Sequence, residues 1–322
     1  LEDWKRFMDF IRRHWFLLAL GVAIAVGFGF AKPLAWIPEV PRLSDSLVAV
    51  TMFLMSWPLK FGDLRDNLRR PWAALLASFI NLGLFPIVAW PCSFLLGPEL
   101  GPGLIILAAT PCTLASASVW TRKAGGNDII SIMVTILTNS VCFLITPAWI
   151  WLLTGSRVPS ELAWQMVITL LIVVIAPLVL AQASRSIPSV AKWATSRKVV
   201  LSFLAQIGLL GVVLIGCIKS GHKLQLQQQS WDWLEFGLMF GILVGLHLAA
   251  WAYGLWQARK IGFPLSDAAA VAFSASQKTL MVGVVGAIKL DVNVLPLIVY
   301  HALQLLIDTV LADRLRRRIE SS

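Results

Sequence analysis

The sequence predicts an all-α polytopic membrane protein with ten transmembrane helices, and three observations carry that prediction. Of 322 residues, 58% are apolar and 14% charged, with a mean hydropathy of +0.78, outside the range of soluble domains, disordered chains and fibres. The apolar residues gather into ten runs, each near the roughly 20 residues that cross a bilayer core. Lys and Arg then accumulate in alternate segments between those runs, as positive-inside orientation requires. No hydrophilic block is long enough for a separately folded soluble domain. The formal charge of +10 is scattered in small groups rather than drawn into one basic stripe, so topology explains it and nucleic-acid binding is not indicated.

In chain order, residues 1–14 set Trp4, Phe7, Phe10 and Ile11 against Lys5, Arg6, Arg12 and Arg13, the pattern of an amphipathic helix on the inner membrane surface. The ten runs follow at 15–31, 45–60, 71–96, 101–121, 128–153, 161–183, 199–218, 231–256, 265–288 and 293–312. Pro71 opens one run, and Lys32-Pro33 and Gly155 close others, marking hairpin loops. Trp149, Trp151, Trp231 and Trp233 read as interfacial anchors. Cys92, Cys112, Cys142 and Cys217 lie inside apolar runs without CxxC spacing, which supports neither disulfides nor a metal site. HExxH, Walker and GxSxG motifs are absent, so neither an enzyme nor ATP coupling is expected.

The segmentation places 20 Lys and Arg on the side holding both termini and 6 on the other, with Lys278 alone inside a span. Both termini are therefore expected in the cytoplasm, and the short loops and unpaired cysteines suit a bacterial inner membrane. Ten is twice five, and an odd-numbered half inserts its duplicate upside down, the inverted-repeat plan of many secondary transporters. The expected organisation is an N-terminal segment 1–14, repeats at 15–157 and 158–312, and a basic cytoplasmic tail 313–322. Ser116-Ala117-Ser118 in the fourth span and Ser274-Ala275-Ser276 in the ninth look like an echo of that duplication.

Polar groups in hydrocarbon need partners, so mid-span polar residues are the candidates for function. The fourth span has Thr110-Pro111-Cys112-Thr113, then Ser116 and Ser118; Pro111 removes a helix donor, and the freed carbonyls suit a cation. Ser131 and Thr135 share one face of the fifth span, ahead of Thr138-Asn139. Asn81 lies in the third. Each of these serves equally well as a close helix contact. Lys278 is the strongest anomaly, because an ammonium near the bilayer centre costs about 2.5 to 3.5 kcal/mol even on the lenient insertion scale. The cost is offset by a carboxylate partner, a substrate anion or helix-end carbonyls, or is avoided by deprotonation through a lowered pKa. Asp308 falls towards the inner end of the tenth span and Glu235 near the start of the eighth, so no acid is expected in mid-membrane. His247 and His301 fit helix-packing donors or proton relays, and Tyr300, His301 and Gln304 share neighbouring turns.

Three stretches carry a resemblance: Thr121-Arg-Lys-Ala-Gly-Gly-Asn-Asp128, Ser276-Gln-Lys-Thr-Leu280, and Pro296-Leu-Ile-Val-Tyr-His301 with Gln304. They resemble the bile acid/sodium symporter family, and most closely the SBF-like branch of solute carrier family 10. The resemblance implies a panel of spans one, two, six and seven and a core of three to five and eight to ten. Spans four and nine would be broken and cross beside two sodium sites, with an organic anion as substrate. The family's span-three Gln falls on Asn81, its span-four Ser-Asn pair on Ala117 and Ser118, and its span-five Ser and Thr on Ser131 and Thr135. Its span-nine pattern, Glu-x-Gly-x-Gln-Asn, matches at Gln277, but Lys278 replaces the Asn, and Phe273 or Ser274 stands where the acid belongs.

The implied substrate and ion set is Asn81, Thr113, Ser116, Ser118, Ser131, Thr135, Ser274, Ser276, Gln277, Lys278 and His301, with Ser118, Ser131, Thr135 and Gln277 as a candidate Na+ site. Losing the shared carboxylate and gaining an ammonium weakens the case for two sodium ions. The expectation is an organic-anion transporter working by alternating access, with Lys278 standing in for a bound cation and H+ as the coupling ion. A sodium-coupled symporter is the alternative, as is a non-transporting membrane regulator, since eukaryotic members of the branch are associated with control of calcium entry. No cofactor beyond a coupling ion is expected. The expected partners are the small-molecule anion and the lipid bilayer, with oligomeric state left open.

Overall fold

A computed structural model describes residues 2–59, 71–154, 159–226 and 233–320, with side chains from residue 15 onward. The basic segment 60–70, Gly155, Trp231 and the N-terminal amphipathic side chains lie outside the described residues. The described chain is helical, without a strand. It runs α1 (Glu2–Gly29), α2 (Ala31–Leu34), α3 (Leu43–Ser56), α4 (Trp72–Phe79), α5 (Phe85–Ser93), α6 (Gly101–Ala109), α7 (Ser116–Lys123) and α8 (Asp128–Leu153). It continues through α9 (Ser160–Leu170), α10 (Ala176–Ser184), α11 (Pro188–Ser196), α12 (Lys198–Leu226), α13 (Trp233–Ile261), α14 (Leu265–Ser276), α15 (Leu280–Lys289) and α16 (Leu295–Glu320). Wide π turns at Ile80–Leu84 and Leu171–Ile175 join α4 to α5 and α9 to α10.

Among the described residues, 7 helical stretches are long and apolar enough to cross a membrane, and Trp15–Gly29 and Leu43–Ser56 are shorter apolar helices. Two expected boundaries are not breaks. α1 passes through position 14 and α16 through position 312, because good helix formers continue past the apolar run. A surface helix, α11, occupies what was expected to be a plain loop: Pro188 starts it, Ala194 is its buried residue, and Trp193 stacks on Trp57 at 5.1 Å.

The helices pack in two groups. α1, α3, α10 and α12 form the first, and α4 to α8 with α13 to α16 the second. Close approach in the first depends on missing side chains. A Cβ on Gly27 would strike Cys217, and one on Gly208 would strike Thr51 Oγ1. In the second group α14 is the centre, buried at every residue from Ala268 to Ser276. Leu265–Lys289 has a mean hydropathy of 1.4, the lowest of the seven stretches, yet is almost wholly inside the protein. Its small residues touch protein rather than lipid, so they need not be strongly apolar.

Overpacking the α3–α12 contact is therefore the cheapest way to damage the first group alone. Gly208→Val is expected to cost about 1–3 kcal/mol, measured as a lowered unfolding temperature in detergent, whereas Gly237→Val on α13, where a Cβ meets nothing, leaves it unchanged.

Candidate functional site: the crossing of two broken helices

The first break is written in the sequence. Proline disfavours helical geometry in the residue before it, and Thr110 is extended at φ −73, ψ 152, so α6 stops and α7 begins only at Ser116. The second has no proline or glycine. Gln277 (ψ 136) and Thr279 (ψ 131) are extended although nothing local forbids a helix, so neighbours hold them there. Gln304 clamps the peptide of Lys278 on both sides, its Oε1 accepting from Lys278 N at 2.9 Å and its Nε2 donating to Lys278 O at 3.0 Å. The breaks are joined directly, Thr279 N donating to Pro111 O at 2.8 Å.

In hydrocarbon each orphaned carbonyl must find a donor, and here every carbonyl from Leu107 to Thr113 does. Leu107 O accepts from Thr110, Ala109 O from Thr146, Cys112 O from Asn139 and Thr113 O from Thr135. The remaining two, Ala108 O and Thr110 O, accept from Lys278 Nζ at 2.8 and 2.9 Å. A third carbonyl comes from the π turn. Phe85 N bonds Ile80 O instead of Asn81 O, so Asn81 O is free to accept from Lys278 Nζ at 2.6 Å. Pro86 releases Leu82 O in the same turn, and Trp149 Nε1 takes it at 2.6 Å. Trp149, expected as an interfacial anchor, thus also serves as a donor to the backbone of the third span.

Lys278 is 1% exposed and its three N–H bonds meet three backbone carbonyls, with the Phe85 ring 4.5 Å below. Three charge-assisted bonds at about 1.5–3 kcal/mol each offset the cost of placing the ammonium there. Of the partners expected for Lys278, helix carbonyls are the ones the chain itself supplies.

Asn81 ties the second break to the third span. Its Nδ2 donates to the carbonyls of Ser274, Ala275 and Gln277 at 3.0, 3.2 and 2.8 Å, capping α14. Gln277 reaches the other way: Oε1 accepts from Thr113 at 2.8 Å and Ser116 at 2.5 Å, and Nε2 donates to Asp308 at 2.6 Å. Asp308, placed by the sequence towards the inner end of the tenth span, is tied to the crossing through Gln277. It is 0% exposed and its other oxygen is 2.9 Å from His247 Nε2. Tyr300 O–H donates to Ser276 O at 2.6 Å, so its oxygen accepts from His247 Nδ1 at 3.2 Å. One proton then lies between His247 Nε2 and Asp308, and the pair carries no net charge whichever atom holds it.

Asn81, Thr113, Ser116, Ser274, Ser276, Gln277 and Lys278 are thus drawn together, with His301 joined through Gln304 at 2.9 Å. The other three candidates make no direct hydrogen bond to Gln277. Ser118 bonds Ala115 O at 2.9 Å, Ser131 pairs with Thr121 at 2.8 Å, and Thr135 bonds Thr113 O at 2.8 Å. Ser274, at the position the resemblance gives to an acid, is fully buried with Oγ unpartnered, as is Asn139 Oδ1. The two Ser-Ala-Ser triplets fall on opposite sides of the breaks, one opening α7 and the other closing α14, so they are not equivalent positions. Asp308 and the Gln304 clamp are what sequence reasoning missed. The signal available for Asp308 was its helical spacing from Gln304, one turn away.

A membrane protein whose two interrupted helices cross, with half-helix ends and polar groups at the meeting point, is built like a secondary transporter. The chain belongs to the SBF-like CPA transporter family, whose model matches residues 14–317. It is an integral membrane protein of a transporter family, not an enzyme. Among similar proteins, sodium/bile acid cotransporter 7 of Rattus norvegicus is 24% identical over 97% of this chain and 95% of its own length. Sodium/bile acid cotransporter 7-A of Xenopus laevis is 23% identical over 96% and 93%. The uncharacterized sodium-dependent transporter YocS of Bacillus subtilis is 26% identical over 74% and 73%.

The Gln304 clamp is testable by itself. Gln304→Leu strands the N–H and C=O of Lys278 at about 1–3 kcal/mol each, and is expected to lower the unfolding temperature in detergent more than Gln225→Leu on the exposed end of α12.

Proposed function

We propose that the protein is a secondary active transporter that carries an organic anion by alternating access. Ten spans form two inverted halves with both termini in the cytoplasm of a bacterial inner membrane. α1, α3, α9 with α10, and α12 are the panel; the other spans are the core, which moves against it. The observation that supports this most is the cage around Lys278. Three backbone carbonyls at 2.6–2.9 Å are what a dehydrated cation needs, and here the chain supplies the cation itself.

With His247 and Asp308 neutral as a pair, Lys278 is the uncompensated positive charge in the membrane interior, which favours an anionic cargo. The N-terminal ends of α7 and α15, in mid-membrane, add partial positive charge at the crossing. The names of the relatives agree with an organic acid. Because a tethered ammonium fills the cage, coupling to H+ is expected in place of Na+ at this point. The unpartnered Ser274 Oγ and Asn139 Oδ1 are the features that favour the sodium-coupled alternative.

Uptake of candidate organic acids into proteoliposomes, under imposed proton or sodium gradients, tests the proposal. Proton-driven uptake is expected to persist when Na+ is replaced by choline and to fall at least tenfold in Lys278→Ala protein that remains monodisperse. Uptake that requires Na+ and is unaffected by Lys278→Ala contradicts it.

A further inference from the structure

The two helix groups are also bound to one another by charge, at one end of the molecule. α1 ends there, with Phe28 O accepting from Gln225 at 3.3 Å, and α16 begins there, with Val294 N bonding Ser220 at 3.2 Å. The chain termini therefore lie at the opposite end. From α12, Lys219 donates to Ile288 O at 2.7 Å and lies 3.3 Å from Asp291 Oδ1. One turn on, Lys223 donates to Asp291 O at 3.0 Å and lies 3.7 Å from both Glu99 and Asp291 carboxylates. Lys289 at the end of α15 reaches back to Asp45 of α3 at 3.2 Å. Each contact joins one group to the other. By contrast, Arg122 with Asp128, Lys123 with Asp313, and Arg316 with Glu320, at the terminus end, join residues of the second group to each other.

Asp291 is the centre of this arrangement and sits in an unusual place. It ends α15 in the left-handed region, φ 53, in a turn closed by Val292 N to Ala287 O at 2.9 Å. Glycine takes that position at least steric cost. An aspartate there keeps a carboxylate between two lysines of the other group. Below it the groups meet tightly, a Cβ on Gly216 finding Val284 and Val294 within 3.2–3.4 Å.

We infer that Lys219, Lys223, Lys289, Asp45, Glu99 and Asp291 form an ionic latch that shuts the transporter at the end opposite its termini. They are positioning residues for alternating access, so the inference rests on the function proposed above. Exposed ion pairs are individually weak and salt-sensitive, which suits the task. A latch between two nearly balanced conformations must yield in each cycle, and a tenfold population change needs only about 1.4 kcal/mol.

The test reads opening of the seam without substrate. Val284→Cys places a near-isosteric thiol beneath the latch, and its reaction with a water-soluble maleimide is followed by peptide mass spectrometry, leaving the native cysteines in place. Asp291→Gly, which suits the left-handed turn, and Lys219→Gln with Lys223→Gln are expected to speed labelling about tenfold. High salt does the same to the Val284→Cys protein with its latch intact, and melting temperatures stay unchanged. Equal labelling rates with and without the latch overturn the inference. Should labelling respond to Asp291→Gly in protein that transports no organic acid, the proposed function fails and the latch stands.

Discussion

A broken helix in hydrocarbon leaves carbonyls that water cannot solvate, and the donors that satisfy them dictate this structure. Lys278 is the donor on which most depends. Its ammonium closes the end of α6 and the opened π turn at once, binding the third, fourth and ninth sequence spans at a single atom. A neutral side chain of similar length lacks three donors, and a free ion lacks the tether. The cage and the ammonium each make the other affordable in a low dielectric.

The remaining contacts at the crossing follow from the same constraint. Asn81 supplies donors to α14 and an acceptor to Lys278, and Gln277 links α7 to Asp308, so no element there is held by one neighbour alone. Such mutual satisfaction favours a rigid unit that moves as a body. The first group packs closely through its own glycine contacts and meets the second along α12 and α15, with an exposed charge cluster at one end of the seam. A rigid core beside a seam that exposed ion pairs fasten at one end is the arrangement that the proposed alternating access calls for.

What the sequence made legible was what rests on composition or local sterics. The apolar runs appear as helices, and Pro111 breaks α6 where expected. Lys278, singled out by its cost alone, is buried at the crossing. The second break was not legible as a local signal, because Gln277 and Thr279 are extended through bonds to residues on other helices. Asp308 was misjudged for a similar reason: the groups that hold it, Gln277 and His247, come from other helices. The Ser-Ala-Ser echo failed because three small residues carry too little information to fix register between two breaks. Trp149 was assigned to the interface by type, and only Pro86, which frees Leu82 O, explains the bond it donates there.

The central claim is that Lys278 occupies a cation site. Thermal unfolding in detergent across a Na+ titration, against choline at constant ionic strength, tests it most directly, comparing the parent with Lys278→Ala. Ligand binding to the folded state alone raises stability in a saturable way. The account predicts a parent indifferent to Na+ and a Lys278→Ala protein, less stable at the outset, that Na+ restores. Saturable stabilisation of the parent, with none in Lys278→Ala, would contradict it.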